Sequence, residues 1–357
     1  MRLVLVIATV LLPSVGLALS PLSERERATL QSGLIVTADA FILPSYVAQA
    51  KATRNMTDAL AAYCAGRGGI SPVHQGFANS FLAWQRASVV QIGPISNAEG
   101  LMRVQLWPDP KGFSQRAVRA AVRERDPAVV QPGALVGRSI ALTNFTALEY
   151  LLYSELPQNA YSCDLAYAIS RFHAELASDM VDAWTPGSAF RAEFDGAVHG
   201  VGRYASVDDL LRAFLSGAVV YTDRLRNFKL LRGLGTQPGD ARATRTEARL
   251  SRLGRESIEV SFRTLAELYD TPFGVFDAAP DVGGSMEYFV LSETAASVAD
   301  GLAIMDETLE EIAASDGAKA EDLRRVANLV LFHEVFLKTG YLQALGLSAG
   351  FTAADGD

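Results

Sequence analysis

The sequence predicts an all-α protein made of two tandem helical bundles. Apolar residues recur at three- and four-residue intervals along most of the chain, and no convincing period-two segment with hairpin turns interrupts them. The clearest instance lies near the C-terminus. There Val298, Leu302, Met305, Leu309 and Ile312 form one stripe, and Leu323, Val326, Val330, His333 and Leu337 form another, with Asp316-Gly317 between them. Two antiparallel amphipathic helices with a short connection are the unit of a helix bundle. The 357 residues suffice for two ordinary domains, and the Gly-containing stretch from Thr185-Pro186-Gly187 to Gly202 is the expected boundary. The division is an N-terminal bundle over 19–190 and a C-terminal bundle over 200–357.

Taken in order, Met1-Arg2 and the apolar run Leu3–Ala18 have the charged start and short hydrophobic core of a signal peptide, with cleavage expected after Ala18. The run is short for a membrane span, no Cys follows it closely, and later helices carry charges. The expected product is a periplasmic protein, neither lipid-anchored nor membrane-spanning. Ser23 with Glu26 forms a capping box for a helix to about Ala50, kinked at Pro44, and a second helical stretch runs to Cys64. Gly66-Arg67-Gly68-Gly69 reads as a turn, with Ser71 capping the next helix and Pro72 its first residue. Phe77, Phe81, Trp84 and Ser88 form one track of a helix to Ile92, and Ala78, Leu82, Gln85, Val89 and Ile92 form the other. Gly93-Pro94 ends it. Arg103–Gly112 is irregular, and helices follow at Ser114–Arg125, Leu142–Tyr153, Ala166–Trp184 and Ser206–Phe228. Arg232–Arg245 reads as a loop, and helix resumes at Thr246, broken near Gly254, to Tyr269.

The net charge of -8 and the lack of a Lys/Arg block argue against nucleic acid as a partner. Cys64 and Cys163 are the two cysteines, either one disulfide or two separate buried thiols. The chemical anomaly is Glu149, the one charge in the apolar run Thr143–Tyr153. A buried carboxylate needs a partner, and Arg86, Lys229, Arg249 and Arg252 are candidate cations. Thr146 shares its helix face, but a hydroxyl is a weak ligand for a transition metal. His333-Glu334 lacks the second His of the zinc-protease helix, since position 337 is Leu. No nucleophile elbow, phosphate loop or dinucleotide fingerprint is present.

Several segments carry a resemblance: Ile42-Leu43-Pro44-Ser45-Tyr46, Phe81-Leu82-Ala83-Trp84 leading to Gly93-Pro94, Leu106-Trp107-Pro108-Asp109, Phe145–Leu152, and Leu345–Phe351 to Asp355-Gly356-Asp357. In their order and spread the chain resembles the imelysin-like proteins, a family grouped with metallopeptidases. The resemblance implies an exported two-bundle protein linked with iron uptake, with periplasmic or outer-membrane uptake partners. The family's signature is Gly-x-His-x-x-Glu, its His and Glu being the proposed metal ligands. Here those positions hold Asn144, Thr146 and Glu149. The expectation is a non-catalytic binding protein whose site comprises Glu149, Thr146, Asn144, Trp107, Asp109, Arg86 and Arg252. The alternative is a metal-dependent peptidase in which Glu149 and distant residues such as Asp109 or His333 hold a metal ion.

Overall fold

The computed structural model describes residues 22–96, 99–154, 159–234 and 245–269, then 271, 274, 275 and isolated positions between 324 and 347. The expected signal peptide, the stripe from Val298 to Ile312, and His333 lie outside the described residues. Among the described residues every regular element is helical. The fold is a helical bundle, as its sequence periodicity implies.

Helix α1 (Glu24–Thr37) opens with the capping box, in which the Glu26 carboxylate accepts from the Ser23 N–H at 2.7 Å and Ser23 Oγ accepts from the Glu26 N–H at 3.3 Å. A π-turn over Ala38–Ile42 leads without a break into α2 (Leu43–Cys64). Pro44 follows that turn directly, and its missing N–H and its ring, which cannot join the helical ladder, are accommodated by the widened turn just before it, the form the expected kink takes. The whole run is long and apolar enough to cross a bilayer. Its Leu30, Leu34, Phe41, Ile42 and Tyr46, however, are buried within the hydrophobic core.

Helix α3 (Ile70–Ala87) packs along α2, and Gly76 makes that closeness possible, since a Cβ there would sit 2.9 Å from the Met56 Cα. Extended Gly69 is its N-cap, which moves Ser71 and Pro72 inside the first turn rather than at the cap. The helix also stops at Ala87 and not at Ile92. Val89, Val90 and Ile92 are buried all the same, so their apolar spacing reports burial and not helix. Gly93, at φ 84°, turns the chain where only glycine is at ease.

Short α4 (Gly100–Val104) and an irregular segment precede α5 (Phe113–Glu124). The single helix expected over Leu142–Tyr153 is two, α6 (Ile140–Thr143) and α7 (Phe145–Tyr153). Asn144 separates them with extended backbone, its Oδ1 accepting from the Ala147 N–H at 3.0 Å. An Asn side chain competes with the helical ladder and so favours a cap over an interior position. Helix α8 (Ala160–Trp184) packs on α2, and the Cys64–Cys163 disulfide joins the end of α2 to the start of α8.

The stretch after Trp184 holds α9 (Ala189–Asp195), whose Phe190 and Phe194 meet the Trp184 ring at 5.0 and 5.2 Å. Arg191, almost fully buried, lies against Asp39 at 2.6 Å and Asp195 at 2.7 Å. Helix α10 (Val207–Asp223) starts at Ser206, continues as a π-turned segment over Arg224–Leu230, and ends in α11 (Leu231–Leu234). Residues Thr246–Arg249, expected to be helical, form turns instead, with Ala248 at φ 48° and Arg252 at φ 62°. Helix α12 (Gly254–Tyr269) then packs on α3.

His173, on α8, is buried and its Nε2 lies 2.6 Å from the Thr143 carbonyl oxygen. A carbonyl only accepts, so the proton sits on Nε2, and Nδ1 is left without a partner. Burial holds its pKa down at about 4, opposed by the bond to Thr143. The unfolded chain takes up a proton near pH 6.5 while the folded chain resists until about 4. Stability is thus full above pH 6.5 and falls as the pH drops through that window, by about 3 kcal/mol. His173→Gln is expected to flatten this portion of the stability–pH curve in urea titrations. An unchanged curve would exclude His173 as its source.

Candidate functional site

Glu149 lies on α7, buried, and its partner is Ser251 in the turn before α12. Both the Ser251 N–H, at 2.8 Å, and its hydroxyl, at 2.7 Å, donate to Glu149 Oε1. The left-handed residues on either side of Ser251 bend the turn that presents these donors, a local strain of the kind found at functional sites. Burial raises the Glu149 pKa, the Ser251 bonds oppose the rise, and the charge of Glu247 adds to it.

Glu247, also buried, accepts from Ser257 Oγ at 2.6 Å and from Gln105 Nε2. The Lys229 ammonium lies 3.5 Å from Glu247 Oε2. Its three protons match three acceptors: Gln85 Oε1 at 2.7 Å, Ser261 Oγ at 2.8 Å and Ser257 Oγ at 2.9 Å. Gln105 Oε1 in turn accepts from Trp84 Nε1 at 2.7 Å and Gln85 Nε2 at 3.3 Å. One polar network thereby ties α3, the segment after α4, the π-turned segment and the start of α12. Beside it is a small cavity of about 20 Å³, with Trp84, Gln85, Gln105, Tyr221, Arg224 and Lys229 among its walls.

The sequence-derived candidates divide. Thr146 donates its hydroxyl to the Leu106 carbonyl at 3.3 Å, which ties α7 to the irregular segment. Asn144 is the cap of α7 and also donates to Ile140 O and Ser114 Oγ. Asp109 accepts the Phe113 and Ser114 N–H groups, both at 2.8 Å, at the start of α5. Trp107 gives its carbonyl to Arg224 and leaves a buried indole N–H without an acceptor. Arg86 is paired with Glu267 and donates to Ser45, while Arg249 and Arg252 are exposed. No cation among the described residues pairs with Glu149; of the four candidates, Lys229 serves Glu247 instead. Sequence reasoning missed Glu247, Gln105 and Ser251, and the one available hint was Gln85, a polar residue on an apolar track.

A peptidase metal does not fit these residues. Zinc sites take imidazole, thiolate and carboxylate ligands. Here the Thr146 hydroxyl points its proton at a backbone carbonyl, and an ammonium already stands beside Glu247. Among the described residues no three His, Cys, Asp or Glu side chains cluster as a metal would need.

Because Glu149 has hydrogen-bond donors and, among the described residues, no counter-charge, Glu149→Gln is expected to change stability at neutral pH by less than about 1 kcal/mol, far below the cost of breaking a buried ion pair. The raised pKa makes the wild-type carboxyl stabilising below its unfolded pKa near 4.5, and that contribution is lost as the pH rises through the folded value. The Gln variant should lack this slope. A loss of several kcal/mol at pH 7 would show instead that Glu149 is half of an ion pair.

The model for the imelysin peptidase family matches residues 42–330. Two solved structures share the fold. An imelysin-like protein from Psychrobacter arcticum 273-4 superposes with a TM-score of 0.71 at 16% identity, covering 92% of this chain and 98% of that one. A putative iron-regulated protein A precursor from Parabacteroides distasonis ATCC 8503 gives 0.68 at 10% identity, covering 89% and 95%. No curated protein matches the sequence. With a family model spanning most of its length, the chain belongs to the imelysin family.

Proposed function

We propose that this chain is an exported, non-catalytic imelysin-family protein that binds a ligand at the polar network around Lys229, in the setting of iron acquisition. The observation that carries the reading is the Lys229 ammonium held by Glu247, Gln85, Ser257 and Ser261, a cation of the protein's own beside the buried Glu247 carboxylate. A protein that activates water with zinc would keep ligands and an open position there. The iron setting draws on the name of the iron-regulated protein from Parabacteroides distasonis, and uptake proteins of the periplasm or outer membrane are the corresponding partners. Export draws on the charged, then apolar N-terminus and on the Cys64–Cys163 bridge, since disulfides persist in oxidising compartments.

Elemental analysis of protein purified without chelators, alongside a peptidase assay with added zinc, tests the reading. Sub-stoichiometric metal and no peptide cleavage are expected. Tightly bound stoichiometric zinc, or cleavage lost in Glu149→Gln, would establish the metallopeptidase alternative. N-terminal sequencing of the periplasmic fraction should begin at Leu19.

A further inference from the structure

Lys229 has its counter-ion, but among the described residues the second cation of the cavity has none. Arg224 donates Nη2 to the Trp107 carbonyl at 3.3 Å, and among the described residues no carboxylate comes within ion-pair distance of it. Burial pulls its pKa down while Glu247, Tyr221 and Asp223 pull it up from farther away. A guanidinium does not give up its proton in a protein, so the charge stays, and the partly exposed side chain keeps its remaining N–H groups open to an incoming acceptor.

The walls supply few acceptors. Gln85 Oε1 is taken by Lys229, Gln105 Oε1 by Trp84 and Gln85 Nε2, and the Gln85 carbonyl by Tyr221 at 2.7 Å and Ser88 at 3.2 Å. The surplus of donors continues past the cavity. Trp107 Nε1 and Arg232 Nε are both buried without an acceptor, and the Arg232 guanidinium lies 5.8 Å from the Trp107 ring centre.

We propose that the cavity beside Arg224 binds the carboxylate head group of a small organic acid, with the Arg224 guanidinium as its counter-ion. A planar fork of N–H donors matches the two oxygens of a carboxylate better than it matches a spherical ion. The cavity, about 20 Å³, exceeds the roughly 10–15 Å³ that a single water needs. This inference rests on reading the polar network as a binding site and names the ligand chemistry that the site takes.

The test is isothermal titration of the full chain with sodium formate, sodium acetate and sodium chloride at constant ionic strength. One saturable site for formate or acetate is expected, with affinity at least tenfold weaker in Arg224→Gln and undiminished in Arg226→Gln, whose side chain donates to the Ala327 carbonyl instead. Arg224→Lys, which keeps the charge without the fork, should also weaken the carboxylates. No saturable binding to the wild-type chain overturns the proposal, as does chloride binding equal to that of formate. The wild-type titration decides even if Arg224→Gln fails to fold. Metal analysis on the same preparation separates the two readings: zinc-free protein that ignores formate overturns the carboxylate site alone, whereas zinc-loaded protein overturns the non-catalytic reading.

Discussion

Lys229→Met should lower the unfolding free energy by about 3–5 kcal/mol, the range for removing one partner of a buried ion pair. The Lys229 side chain is 9% exposed and the Glu247 side chain 5%, so solvent screening is slight. The substitution keeps most of the side-chain volume but leaves the Glu247 carboxylate without a cation and three acceptors, on Gln85, Ser257 and Ser261, without a donor. Most of the loss is thus the stranded charge, and neutralising the partner should return part of it. In the double variant Lys229→Met/Glu247→Gln the cost is expected to be less than the sum of the single changes, because contacting groups do not add. Urea midpoints for the four proteins of the cycle measure this. Strict additivity, or a single-variant loss under about 1 kcal/mol, would mean that the pair is not coupled in the folded chain.

How far the site could be read from the sequence depends on the range of each interaction. The helical class follows from apolar spacing, a local property, and local signals also gave the Ser23–Glu26 box, the glycine turn after Cys64 and the helix after Ser206. The errors arose where a side chain or a distant contact overrode the spacing. Asn144 splits one apolar run because its own amide caps the second half. Val89, Val90 and Ile92 are buried out of helix by neighbours far away in sequence. Glu149 was legible as an anomaly because it was a lone charge among apolar residues. Its partner was not, since Ser251 is 102 positions away and serines are common on every surface. Glu247 was hidden further, in a run of charged residues that reads as solvated helix. Asp109 and Asn144, candidates through the family resemblance, hold helix ends, a use of these residue types that precedes any functional one.

Removing the Cys64–Cys163 bridge, by Cys64→Ser/Cys163→Ser or by reductant, is expected to cost about 2–5 kcal/mol. The two residues are 99 positions apart, and their Cα atoms lie 5.7 Å from each other, well within the reach of a disulfide. The bridge therefore closes a loop through α3, the irregular segment and α7, the elements that carry Trp84, Gln85, Gln105 and Glu149. Chain entropy predicts about 4.7 kcal/mol for a loop near 100 residues, acting on the unfolded chain and not on native contacts. Because α2 and α8 already pack against each other, the folded structure should survive the change, with helical circular dichroism preserved in the absence of denaturant. Urea unfolding with and without reductant measures the loss. The unfolded chain, freed of its tether, exposes more surface, so the slope of the transition should rise as its midpoint falls. A variant as stable as the wild type would show that residual structure in the unfolded chain holds these helices together without the bridge.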